Sequence, residues 1–308
     1  MSEFKDIEIM NIDDMLKGIT PNFKDNPNYE YKGSTVLEKP KVLKRLVLGD
    51  IHGHWDNLKK IYDLEDPDEV IILGDYFDNF NGTDDSIYEC YRDILQLRGD
   101  HLANKTGDFI MLIGNHDFHY NHWYEKCSGY RSSMAVKNAI LLNSYSQHLQ
   151  FIYLDEVNNT LYSHAGVTKH WLKENLQDKY SKDSYKYINE FKHEYFKYTD
   201  KGGDPYRTGE TIYASPIWCR PDSLNLDAIN NENGEQLIQI VGHTHENFPR
   251  CFNFGGYEMK CDLETLNKNI DDVKIFVMDT MPKYYMVEEL DENRKLVKRK
   301  IKSLIKKD

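Results

Sequence analysis

Four short apolar runs in this 308-residue chain each close on a glycine followed by a side chain able to hold a metal ion. Leu46-Val47-Leu48 leads into Gly49-Asp50-Ile51-His52-Gly53, and Glu69 to Leu73 leads into Gly74-Asp75-Tyr76-Phe77-Asp78. Phe109 to Ile113 leads into Gly114-Asn115-His116-Asp117, and Leu237 to Val241 into Gly242-His243-Thr244-His245. A further candidate, His164, stands in Ser163-His164-Ala165-Gly166. Carboxylates, imidazoles and an amide oxygen, with no thiolate among them, suit harder divalent ions such as Mn2+, Fe2+ or Zn2+. The set is too large for one ion, so two ions roughly 3.5–4 Å apart, bridged by a carboxylate, would use it fully. Taken singly, Asp50 reads equally as a helix cap before Trp55 and His52 as a turn residue. The repetition at four strand ends selects the metal reading.

These groups meet only if the elements carrying them converge. Runs rich in Val, Ile and Leu that end in Gly read as buried strands. Helix-like stretches, Trp55 to Tyr62 and Asp84 to Leu97, separate the first three runs. A β-α-β-α-β order implies parallel strands with crossover helices, and parallel strands bring their C-terminal ends to one edge. Ser132 to Gln147 reads as another helix, and Phe151–Leu154 with Thr160–Ser163 as a hairpin around Asn158-Asn159. Residues 168–200 read as mostly helical, 201–205 as a loop, and Cys251–Phe254, Lys274–Met278 and Tyr284–Val287 as late strands. The basic segment Val297 to Lys302, with Lys306 and Lys307, reads as a solvated edge strand or tail. Residues 1–40, broken by Pro21, Pro27 and Gly33, form an expected N-terminal extension with a short helix. Residues 41–308 are expected as one domain, with a charged, Tyr-rich helical insertion or cap at about 168–236.

Lys+Arg is 39 against Asp+Glu 51, a formal net charge of −12. That balance argues against a basic face for nucleic-acid backbone. No apolar run approaches the ~18 residues of a membrane span, and the first ten residues carry no secretory core. The five scattered cysteines, without a C-x-x-C pair, read as reduced thiols of a cytoplasmic protein.

From about Leu46 to Thr280, the ordered motifs Gly-Asp-x-His-Gly, Gly-Asp-x-x-Asp, Gly-Asn-His-Asp, His-Ala-Gly and Gly-His-Thr-His resemble the calcineurin-like metallophosphoesterases. Within them the chain looks most like the bacterial and phage serine/threonine-type phosphatase branch. The resemblance implies an α/β fold of sandwich type, two mixed β-sheets flanked by helices with a dinuclear centre at the strand edge. It implies Asp50, His52 and His245 on a first ion, Asp75 bridging, and Asn115, His164 and His243 on a second. Manganese leads as the metal, with iron, zinc or nickel as alternatives. It implies His116 as general acid, oriented by Asp78, because a His–Asp pair keeps the imidazole protonated. The ions would neutralise phosphate charge and lower the pKa of a bridging water. His54, His119 and His122 are expected on an exposed rim, with contact to substrate as the alternative for His119, and Asp117 and Asp279 in supporting roles.

One departure matters. The branch continues its second motif as Asp-Arg-Gly, whereas here Asn79-Phe80 follows Asp78. The bidentate phosphate grip of that arginine is missing. Arg220, in Trp218-Cys219-Arg220-Pro221, and Arg131 are the candidate replacements. The expected function is a metal-dependent phosphomonoesterase acting on a phosphoprotein, nucleotide or small phosphate ester. A phosphodiesterase or dinucleoside-polyphosphate hydrolase is the first alternative and a non-catalytic scaffold the second.

Overall fold

A computed structural model describes residues 42–121, 126–196 and 209–304. The N-terminal extension, the loop at 201–205, His122, Lys306 and Lys307 lie outside the described residues. The chain forms β1 (Leu43–Leu48), α1 (Trp55–Glu65), β2 (Glu69–Ile72), α2 (Asp84–Asn104), β3 (Phe109–Leu112), α3 (Asn115–Asn121) and α4 (Ala135–Ser144). Next come β4 (Leu149–Gln150), β5 (Ile152–Asp155), β6 (Thr160–Ser163), α5 (Lys169–Leu176) and α6 (Pro221–Asp227). The last elements are β7 (Ile238–Val241), β8 (Arg250–Asn253), α7 (Leu263–Lys268), β9 (Val273–Val277), β10 (Tyr284–Leu290) and β11 (Leu296–Ser303).

Two mixed sheets result, ordered β11-β10-β1-β2-β3-β4 and β5-β6-β7-β9-β8. In the first, β1 to β4 run parallel, β10 pairs antiparallel with β1, and β11 pairs antiparallel with β10. In the second, β6, β7 and β9 run parallel, with β5 and β8 antiparallel at the edges. Side chains alternate across a strand. Val47, Ile71, Ile110 and Leu112 of the first sheet therefore point at Tyr162, Ile240, Cys251 and Phe276 of the second and form one core.

Local sequence accounts for most boundaries. α2 starts where Thr83 Oγ1 accepts from Ser86 N, with Asp84 and Asp85 complementing the helix dipole. It runs seven residues past the expected Leu97, because Ile94, Leu97 and His101 continue the buried stripe. The helix expected over 132–147 is split, with α4 flanked by 3-10 turns at Ser132–Met134 and Ser146–His148. The expected helical stretch 168–200 contains only α5 as α-helix among its described residues, followed by 3-10 turns. Its apolar residues Trp171, Leu172, Tyr185, Ile188 and Phe196 pack with Ile113, Phe118 and Phe151, so this part of the segment belongs to the core. The basic C-terminal segment is β11, an edge strand with Lys298 and Lys300 exposed.

An unexpected polar plug fills the other end of the sandwich. Arg45, on the same face of β1 as Val47, is fully buried. It bonds Glu69, donates to Asp155 Oδ2 at 2.8 Å and to Tyr162 Oη at 3.0 Å, and reaches Glu288 Oε2 at 3.1 Å. Arg299 Nε completes the plug, 2.7 Å from Glu288 Oε1. Removing one partner of a buried ion pair strands the others' charge, at about 3–5 kcal/mol. Arg45→Met should lose that much in urea unfolding, and a loss below about 1 kcal/mol would show the plug to be inert. Burial alone would raise the Glu288 carboxyl, but Arg299 and Arg45 hold it below its ordinary range. Its stabilisation is therefore present at neutral pH and lost as pH falls through the depressed value, so Glu288→Gln should flatten the acid side of the stability profile.

Candidate metal centre

At the C-terminal strand ends the predicted ligands converge. Asp50 follows β1 and is fully buried; both its carboxylate oxygens accept from the His243 backbone N–H at 3.0 Å. Asp75 follows β2 and occupies the middle. Its Oδ2 is 3.6 Å from His52 Nε2 and 3.3 Å from His164 Nε2, and its Oδ1 accepts from His116 N at 2.9 Å. Asn115 opens α3 just beyond β3, and its Oδ1 is 2.9 Å from both His164 Nε2 and His243 Nδ1. Two of the imidazoles are fixed by backbone carbonyls. His52 Nδ1 meets Phe77 O at 2.8 Å and His164 Nδ1 meets Leu73 O at 3.0 Å, which leaves each Nε2 for the centre.

The glycines are required by this crowding. A Cβ on Gly114 would collide with Asp75 Oδ1, and one on Gly242 with Asp50 Oδ1. Asp117 staples the loops, accepting from Asp75 N and Tyr76 N at 2.8 Å and from Gly114 N at 2.9 Å. Burial, with Asp75 close by, pushes its carboxyl up to about 7 against these donors. Four site residues take left-handed backbone conformations: His52 at φ 44°, Asp75 at 50°, Asp78 at 64° and His243 at 63°. Such values are uncommon outside glycine and mark strain held by the surroundings.

The residues fit metal ions. Asn115 Oδ1, His164 Nε2 and His243 Nδ1, three donor atoms of ligand type, crowd together in a buried space, which an ion would fill. Burial, then His164 and Arg220, push the His243 pKa far down, so its ring is neutral as a ligand must be. Asp50, Asp75 and His164 bring ligand atoms within 4.8 Å of one another, as do His52, Asp75 and His116. His245 stands apart: its side chain is 45% exposed and its Nδ1 is 3.7 Å from Asp279 Oδ1. It nonetheless lines the same cavity of about 320 Å³ as His52, Asp75, Asn115 and His243.

His116 and Asp78 form a pair, Nδ1 to Oδ2 at 2.9 Å, on the wall of that cavity. Burial disfavours the imidazolium, yet Asp75 and Asp78 hold the His116 pKa well above its usual value. Asp78 also accepts from Tyr120 Oη at 2.5 Å and lies 2.8 Å from His119 Nε2. His119 is thus fully buried rather than on a rim, held between the Asp78 carboxylate and the Cys127 thiol. Burial opposes its charge, but these two partners push its pKa up to about 9. His54 lines the cavity, half-buried.

The two candidate arginines part company. Arg220 precedes α6 and lines the cavity, its Nη1 3.3 Å from Thr244 Oγ1. Arg131 does not line it. Its guanidinium holds Asp84 Oδ1 at 2.7 Å and the carbonyls of Asn79 and Gly82 at 2.7 and 2.8 Å. Those bonds tie the loop after Asp78 to the start of α2. Sequence reasoning missed Cys127, whose thiol sits 3.6 Å from Asn115 Nδ2 on the cavity wall. Nothing in its sequence neighbourhood marks it. A larger groove of about 1520 Å³ runs beside β11 and α7, remote from these ligands.

Two facing mixed sheets with flanking helices, and ligand-bearing loops gathered at their strand ends, define a metallophosphoesterase fold. Residues 43–247 match the family model for calcineurin-like phosphoesterases, and the chain belongs to that family, whose members typically bind two metal ions. No curated protein matches the sequence. Among solved structures, a protein serine/threonine phosphatase from Saccharomyces cerevisiae is similar at 14% identity, covering 86% of this chain and 81% of that one, with a TM-score of 0.45. A conserved uncharacterized protein from Streptococcus pneumoniae TIGR4, described as a predicted phosphoesterase, is similar at 12% identity over 86% and 99% of the chains, with a TM-score of 0.25. Among the described residues no helix is long and apolar enough to cross a membrane.

Proposed function

We propose that the protein is a metal-dependent phosphomonoesterase of phosphoprotein-phosphatase type. The observation that carries this reading is the position of the His116–Asp78 pair on the wall of the same cavity as Asp75 and Asn115. Asp50, His52, Asp75 and His245 would hold one ion, and Asp75, Asn115, His164 and His243 the other. Bound there, divalent ions such as manganese supply Lewis acidity that offsets phosphate charge and acidifies water. The chain's own groups do the rest. Asp78 grips His116 Nδ1, so Nε2 carries the proton given to the leaving oxygen. A leaving alkoxide needs that proton, and the raised His116 pKa keeps it available near neutrality. Arg220 places a guanidinium on the cavity wall for the phosphate oxygens.

A diester or dinucleotide substrate is favoured by one feature. Phe80, 68% exposed on the cavity wall, offers an aromatic face to a base beside the phosphate.

Manganese-loaded protein is tested on p-nitrophenyl phosphate, bis-p-nitrophenyl phosphate, a diadenosine polyphosphate and a phosphopeptide. Faster turnover of the monoesters is expected; diester turnover alone would transfer the protein to the second reading, and none at all to a scaffold. Arg220→Lys should lower kcat/KM on the monoester by roughly 10–150-fold, the worth of a charge-assisted hydrogen bond of ~1.5–3 kcal/mol, with metal content unchanged. Unaltered kinetics would remove Arg220 from the site.

A further inference from the structure

Beside the His116–Asp78 pair lie two side chains that the proposed reaction does not use, Cys127 and His119. Cys127 Sγ is 2.9 Å from His119 Nδ1 and 3.8 Å from His116 Nδ1. Ligand atoms of all three residues lie within 4.8 Å of one another. A thiol with two imidazoles is a softer donor set than the carboxylate, imidazole and amide set of the main centre, and it matches zinc. Zinc takes sulfur at about 2.3 Å and nitrogen at about 2.0–2.1 Å, which in a tetrahedral site separates donor atoms by roughly 3.3–3.7 Å. The two observed separations bracket that range, so shifts of a few tenths of an ångström suffice. Cys127 and His116 both line the cavity, which gives an ion a path from solvent. His119 is already oriented for the task. Its Nδ1 faces the Cys127 thiol, and its Nε2 ion-pairs with Asp78 Oδ2 at 2.8 Å, which places a carboxylate behind the imidazole.

We propose that Cys127, His119 and His116 form a third metal site, selective for zinc-like ions, and that filling it inhibits the enzyme. Binding releases to solvent the thiol proton, the Nδ1 proton of His119 and the Nδ1 proton of His116 that Asp78 now holds. Asp78 keeps the Tyr120 hydroxyl and His119. His116 then loses the orientation and the charge that a proton donor needs, and the fourth position on the ion stays open to water. The site itself does not depend on the phosphatase reading; its effect on turnover does.

Cobalt is the spectroscopic probe. Manganese-saturated protein titrated with Co2+ should develop a thiolate-to-cobalt charge-transfer band that saturates at one ion per chain and is bleached by Zn2+. Cobalt entering the Asp75 centre meets no thiolate and gives no such band. Cys127→Ser should abolish the band and His119→Gln should weaken it. Zinc should slow turnover of an alkyl phosphate by roughly 10²-fold or more, the lower end of a general acid's worth, and Cys127→Ser should remove that sensitivity. No band in the native protein, or an unchanged band in Cys127→Ser, overturns the site. Equal zinc inhibition of native protein and Cys127→Ser overturns the inhibitory mode and assigns the effect to exchange at the main centre. A band without any phosphatase turnover would retain the site while removing the proposed reaction.

Discussion

Asp75→Asn should abolish tight metal binding and turnover together. Asp75 is shared by the group with His52 and the group with Asp50 and His164. One carboxylate oxygen faces both His52 and His164 while the other holds the His116 backbone N–H. An amide keeps the shape but removes the negative charge and turns one acceptor into donors. Native protein reconstituted with Mn2+ should approach two ions per chain by metal analysis, and the variant should hold one or fewer at the same concentrations. Losing several kcal/mol of transition-state charge stabilisation lowers kcat by roughly 10³-fold or more. Native protein that saturates at one ion with full activity would remove the bridging role.

His116→Asn should separate chemistry from metal binding. Both ions should remain, because the backbone N–H of residue 116, not its ring, meets Asp75 Oδ1. Turnover should fall by roughly 10²–10⁴-fold on an alkyl phosphate, and by much less on a nitrophenyl phosphate, whose leaving group needs little protonation. Equal losses on both substrates would contradict the general-acid assignment. The pH profile supplies a second check. The imidazolium form must be present, so activity on alkyl esters falls as pH rises through the His116 pKa. Asp78 helps to hold that pKa up. Asp78→Asn should therefore move the alkaline limb to lower pH, and an unmoved limb would dissociate the pair.

The strand ends were legible because each ligand adjoins the glycine that closes its own strand, so local sequence states both the element and the chemistry. The parallel order of β1, β2 and β3 followed from the intervening helices, and five ordered motifs pointed to the sheet sandwich. The polar plug was not legible. Arg45, Glu69, Asp155, Tyr162, Glu288 and Arg299 come from six different strands, and no spacing links them. His119 and Cys127 escaped for a related reason. They meet only because the chain beyond α3 returns to the cavity, and a histidine rich in aromatic neighbours reads as a surface residue when its acceptor, Asp78, is 41 positions away. The bonds of Arg131 to Asp84 and to the Asn79 and Gly82 carbonyls were not legible either, because they join positions 47 to 52 residues apart.

The left-handed conformations at His52, Asp75, Asp78 and His243 set folding against chemistry. Each costs the chain about 1–2 kcal/mol, and four together rival the ~5–15 kcal/mol by which a domain is stable at all. Glycine would relax every one of them, yet none of the four can become glycine without losing its side chain's task. These strand-end loops therefore carry a conformational cost that the packing around them must offset. A search for a sturdier protein at these four positions would favour glycine, and so would select against the proposed metal centre.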